Sequence, residues 1–144
     1  MTRIEVGFTG KDVFGEHIRT AIQNDLSITV QSVRTADVYT TDLPEKDAKK
    51  VTEELLTDKI TQSHSNKFFS DYDWLVEVGF LNGVTDNTGQ AAAEGISDII
   101  NKKTTVKTSK LYAIKGKLSE GQVKLICEKL LANTLIQYYT VKKR

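Results

Sequence analysis

Leu43–Gln62, LPEKDAKKVTEELLTDKITQ, and Leu118–Gln137, LSEGQVKLICEKLLANTLIQ, are two copies of one segment. Seven of the twenty aligned positions are identical: Leu43, Glu45, Lys49, Glu53, Leu55, Leu56 and Gln62 with their counterparts. Two more blocks repeat upstream in the same order. Ile4-Glu5-Val6-Gly7-Phe8 returns as Val76-Glu77-Val78-Gly79-Phe80. Val33-Arg34-Thr35-Ala36-Asp37-Val38-Tyr39 returns as Val106-Lys107-Thr108-Ser109-Lys110-Leu111-Tyr112. The offset between copies grows from 72 to 75 residues, which small insertions explain. A period of this length means a duplicated structural unit.

Each copy has the same hydrophobic pattern. Residues 3–9 alternate and are rich in β-branched side chains, as in a strand. Phe14, Ile18, Ala21, Ile22 and Leu26 follow at helical spacing. Ile28, Val30 and Val33 predict a second strand, and Val38-Tyr39 its hairpin partner. Pro44 suits a helix start, where its missing N–H costs nothing. Ala48, Val51, Leu55 and Leu56 would line that helix, and Ile60–Ser63 a short last strand. In the second copy Leu75–Leu81 is the strand, and Ala92, Ile96, Ile99 and Ile100 line the helix. Val106 and Leu111–Ile114 give the hairpin. Ser119 and Gln122 form a capping box ahead of Val123, Ile126, Cys127, Leu130 and Leu131. Leu135–Val141 alternates as a closing strand.

The expected fold is α+β: two ferredoxin-like βαββαβ repeats, residues 1–66 and 74–144, joined by a linker at 67–73 and packed as a pseudo-dimer. One such unit of about 70 residues leaves a bare sheet face, so the two faces are expected to bury each other. Phe68, Phe69, Tyr72 and Trp74 make the linker too aromatic for a loose tether.

Composition narrows the function. Twenty Lys+Arg against 19 Asp+Glu give a net charge of +1, too little for a general nucleic-acid binder. The lysines along the second hairpin, Lys102 to Lys117, read as a solvated or partner-facing edge. Residues 1–72 hold 9 basic and 12 acidic groups and residues 73–144 hold 11 and 7, so the copies carry −3 and +4. There is no membrane-length apolar run and no leader pattern, so a cytoplasmic protein is expected. One cysteine and two histidines give no metal-ligand spacing. Cys127 falls on an apolar helix face, His17 beside the main stripe of its helix and His64 in a polar linker. No phosphate-binding glycine loop of the GxxxxGK[ST] or GxGxxG type is present. No catalytic, cofactor-binding or metal-binding residue is expected on this chain.

The turn Gly83-Val84-Thr85-Asp86-Asn87-Thr88-Gly89 resembles the G-V-x-D-x-x-G turn of the PurS family, the small subunit of phosphoribosylformylglycinamidine synthase. Val33-Arg34 and Val106-Lys107 resemble that family's V-R-x-G-K strand. Glu54–Ile60 and Lys129–Leu135 are similar to its E-L-L-A-N-P-V-I helix end. The resemblance spans nearly the whole chain, once per repeat. The family glycine of V-R-x-G-K is Ala36 in one copy and Ser109 in the other, and its lysine is Asp37 and Lys110.

The resemblance implies a structural component of an enzyme that uses ATP and glutamine in other parts. Those parts are a synthetase and a glutaminase, either as separate components or as the rest of a longer chain, and further self-association is compatible with it. It marks Arg34, Gly83, Asp86, Gly89, Lys107 and Lys110 as family-motif or partner-contact positions. A competing reading is a tandem ACT-like module holding a small molecule at its glycine turns. An enzyme using Asp86 or Glu77 is the third, with no paired acid and base to support it.

Overall fold

A computed structural model describes residues 1–57, 62–65 and 67–144. The first repeat runs β1 (Thr2–Phe8), α1 (Val13–Leu26), β2 (Ser32–Thr41), α2 (Glu45–Val51) with a π-helical turn at Thr52–Leu56, and β3 (Gln62–Ser65). The second runs β4 (Trp74–Phe80), α3 (Asn87–Ile100), β5 (Val106–Lys115), α4 (Glu120–Ile126) with a π-helical turn at Cys127–Leu131, and β6 (Gln137–Lys143). The fold is α+β, with two tandem βαββαβ-like repeats. Among the described residues no helix is long and apolar enough to cross a membrane.

The expected hairpins are not there. Ser32–Thr41 and Val106–Lys115 are each one unbroken strand of 10 residues. A tight hairpin needs residues that accept positive φ, above all glycine. Neither strand contains a glycine or a residue of positive φ, so each runs straight on. All six strands lie in one sheet in the order β3-β1-β2-β5-β4-β6, which reads the same from either end in terms of the repeats.

The long strands decide the packing. β1 pairs with β2 only from Thr2↔Thr41 to Gly7↔Ala36, so Ser32–Thr35 extend beyond it. That overhang carries α1, the element before it, away from its own repeat. The chain accordingly forms two compact units, each mixing both repeats. One contains 1–10, 36–68 and 85–109; the other contains 11–35, 69–84 and 110–144. In the first unit Ile4, Val6, Leu43, Ala48 and Val51 pack with Ile96 of α3 and Val106. In the second, Ile22 of α1, Ile28, Val30 and Val33 pack with Trp74, Val76, Val78, Tyr112, Ile114 and the α4 residues Val123 and Ile126. The two long helices are thus exchanged between the repeats' cores.

The linker aromatics are ordered parts of the units. Phe68 lies over Gly7, and its backbone N–H donates to Glu5 Oε1 at 2.7 Å. Glu5 is buried and also accepts from Arg3 Nε at 2.8 Å. Phe69, Tyr72 and Trp74 are buried as well. Trp74 sits inside the second unit's core.

Three local expectations change. Leu55 is exposed and lies against Gly95 of α3, while Leu56 is only partly buried. The π-helical turn adds a residue to the helical period and rotates Leu55 off the stripe. His64 is part of β3, opposite Val6, rather than in a solvated linker. The last strand of the first repeat is Gln62–Ser65, and Ile60 and Thr61 lie outside the described residues. The Ser119–Gln122 capping box is present, with Gln122 N–H to Ser119 Oγ at 3.1 Å and Ser119 N–H to Gln122 Oε1 at 2.9 Å.

Both long helices end in the left-handed region, at Ser27 and Asn101, each with φ of 54°. Asparagine tolerates that conformation better than serine, and glycine better than either. Ser27→Gly is expected to stabilise the protein by about 0.5–1 kcal/mol, the relief of the left-handed penalty outweighing glycine's entropy. A thermal melt should show a higher midpoint for Ser27→Gly and a smaller gain for Asn101→Gly.

Candidate functional site

The candidate positions lie around two equivalent places, one per repeat. At the start of α3, Asp86 accepts from the Gly89 N–H at 2.8 Å and so caps the helix. The same carboxylate accepts from the Thr108 N–H at 2.6 Å and from its hydroxyl at 2.8 Å. Gly89 faces the Val106 carbonyl so closely that a Cβ there would collide with it. One aspartate thus fastens the helix start to the strand that follows it.

The first repeat has the same device. Asp12 accepts from the Gly15 N–H at 2.8 Å, from the Thr35 N–H at 2.6 Å and from the Thr35 hydroxyl at 2.9 Å. Gly15 faces the Val33 carbonyl as Gly89 faces Val106. The pattern is D-x-x-G at a helix start and V-x-T in the next strand. Asp12, Gly15, Thr35 and Thr108 were not among the sequence candidates. Their signal was present: the Asp–Gly spacing is the same in both copies, and both threonines lie inside the repeated strand block.

The other candidates are arranged around these clamps. Arg34 and Lys107 lie between the valine and threonine of each V-x-T, so strand alternation turns them to the opposite sheet face, and both are exposed. The Arg34 guanidinium lies 5.4 Å from the Phe69 ring centroid. Lys110 is half-buried on the helix side, with its Nζ 4.7 Å from the Phe14 ring centroid. Gly83 stands apart in the exposed turn after β4, with φ of 86°, where the Val84 N–H donates to Leu81 O at 3.1 Å. The structure therefore brings Asp86 and Gly89 together and leaves Gly83 outside the clamp. Asp86 thus occupies the Gly89 N–H at that helix start.

Cys127 is fully buried in the second unit's core, and burial pushes its thiol from 9.0 to about 12. A thiol in that state is protonated and not nucleophilic at neutral pH. The native protein is expected to resist thiol-specific reagents at pH 8 and to react at one site per chain once unfolded. Because the folded thiol holds its proton more tightly than the unfolded one, its stability contribution is complete below about pH 9. It falls as pH rises from there towards 12, at up to about 1.4 kcal/mol per unit. A melting series from pH 8 to 11, compared with Cys127→Ala, checks the slope.

The PurS family model, phosphoribosylformylglycinamidine (FGAM) synthase, matches residues 73–144. That is the second repeat, half of the chain, and it includes the Asp86–Gly89–Thr108 clamp. The chain belongs to the PurS family. No curated protein matches it. The first repeat lies outside the matched region, yet it carries the same element order and the same clamp, so this is a tandem PurS architecture in one chain.

Proposed function

We propose that this chain is a non-catalytic structural component of phosphoribosylformylglycinamidine synthase in de novo purine biosynthesis. It bridges the synthetase and glutaminase parts, which use ATP and glutamine, so that ammonia passes between their sites without escaping. Those parts are separate proteins or the rest of a longer chain, acting in the cytoplasm. The observation that carries this reading is the family match over 73–144, together with the duplicate of its clamp at Asp12, Gly15 and Thr35. The buried, protonated Cys127 supports a role outside the glutaminase chemistry, which requires an activated nucleophile. Holding reactive centres in register raises rate although the scaffold touches no reacting bond.

Reconstitution tests it. With synthetase and glutaminase components supplied, glutamine-dependent formylglycinamidine ribonucleotide formation should require this chain, and ammonia-dependent formation should survive without it. Activity indifferent to the chain, with no complex on gel filtration, would overturn the assignment.

A further inference from the structure

β6 is the terminal strand of the sheet, and it is longer than the strand at the other edge, β3. Its register with β4 includes Leu75↔Lys142, Glu77↔Thr140 and Gly79↔Tyr138. The Leu81 N–H donates to Ile136 O at 2.9 Å and the Arg144 N–H to Asp73 O at 3.1 Å. Antiparallel ladders bond at every second residue. Tyr138, Thr140 and Lys142 therefore spend their backbone groups on β4. Tyr139, Val141 and Lys143 direct theirs away from the sheet, at an open edge.

Two kinds of side chain mark that edge. At its start Leu81, Ile136 and Tyr138 are 39%, 41% and 42% exposed. Alternation places them together on the face opposite Tyr139 and Val141, which pack on the core. At its end stand Lys142 and Lys143; Lys143 and Lys117 line a hollow of about 290 Å³ together with Trp74, whose ring centroid lies 5.5 Å from Lys143 Nζ. None of these three lysines has an ion pair among the described residues, while Lys115 and Arg144 turn to Asp71. The strand, QYYTVKK, carries no carboxylate. A second copy laid antiparallel along it would offer the lysines no counter-charge.

We infer that β6 receives an extended segment of a partner protein as an added strand, apolar where it passes Leu81, Ile136 and Tyr138 and acidic where it passes Lys142 and Lys143. Main-chain hydrogen bonds supply the affinity in such strand addition and side chains the selection. Lysines on an edge discourage indiscriminate pairing; an acidic segment turns the same charges into attraction. The inference rests on this edge alone and not on the family role.

The test uses the full chain and fluorescein-labelled peptides of alternating Val and Thr ending in paired Glu, at either terminus, or in paired Lys. One Glu peptide is expected to bind at least about tenfold tighter than the Lys peptide, with the advantage shrinking in salt and reversing for the Lys142→Glu, Lys143→Glu double variant. Amide hydrogen exchange should show new protection at Tyr139 and Val141 on binding, with Tyr138 and Thr140 unchanged. Val141→Pro removes an outward N–H and should abolish binding that Val141→Ala retains. Should Val141→Pro not fold, exchange in the unaltered chain decides. Absence of binding, binding indifferent to peptide charge, or no protection at Tyr139 and Val141 overturns the inference. Protection there that grows with protein concentration and no peptide also overturns it, assigning the edge to a second copy.

Discussion

Cut between Phe69 and Ser70, neither half of this protein is expected to fold as a monomer. Residues 70–144 alone lose Ile22, Ile28, Val30 and Val33 from their core. Burying such a side chain is worth about 1.5–3 kcal/mol, so the loss is roughly 6–12 kcal/mol. That is comparable to the whole stability of an ordinary domain, about 5–15 kcal/mol. Residues 1–69 alone lose Ile96 and Val106 and the cover of α3. Each fragment is expected to be unfolded, or to self-associate by using its own long helix in place of the missing one. Its melt would then depend on concentration. Mixed in equal amounts, the fragments should recover one cooperative transition and elute at the size of the intact chain. A monomeric 70–144 fragment with a cooperative melt would disprove the exchanged-helix core.

The second large effect concerns two glycines. Alanine is favoured over glycine in a helix by about 1 kcal/mol, so Gly15→Ala and Gly89→Ala would stabilise if space allowed. At both places the new methyl meets a backbone carbonyl, of Val33 and of Val106. Neither carbonyl can retreat easily. The strand next to it is held by two hydrogen bonds to the capping aspartate, through Thr35 in one case and Thr108 in the other. Overpacking against a fixed group costs about 1–3 kcal/mol, occasionally more. The clash wins, and each variant is expected to be destabilised by about 2 kcal/mol net. Gly121 is the control: it lies in α4 with only the Ser119 Oγ near, at 3.9 Å. Gly121→Ala is expected to gain about 0.5–1 kcal/mol. Urea unfolding of the three variants beside the parent chain measures all of this. Gly15→Ala or Gly89→Ala as stable as Gly121→Ala would refute the clamp.

The clamps show how much of the site was readable. Gly83–Gly89 is legible in the sequence as a turn, and Asp86 as a motif position within it. Its second task, holding Thr108, joins residues 22 apart in the chain. Periodicity carries no information on such a contact. Only comparison of D-x-x-G and V-x-T across both copies reveals it. The hairpin expectation failed for a related reason. Alternation in Val33–Tyr39 fits one long strand as well as two short ones, and the lack of any glycine in Val33–Tyr39 and Val106–Tyr112 was the discriminating sign.

By itself the sequence determined the duplication, the order of helices and strands apart from the hairpins, the α+β class, the capping box at Ser119 and the family. All of these are written in local spacing or in the match of one copy to the other. Tertiary structure decided which helix covers which strands. That choice depends on the 10-residue length of β2 and β5 and on a register that leaves Ser32–Thr35 beyond the end of β1. Burial energy depends on which apolar faces meet, and either long helix has an apolar stripe that suits either core. The overhanging strand selects between them, because it fixes where the helix joined to it can reach.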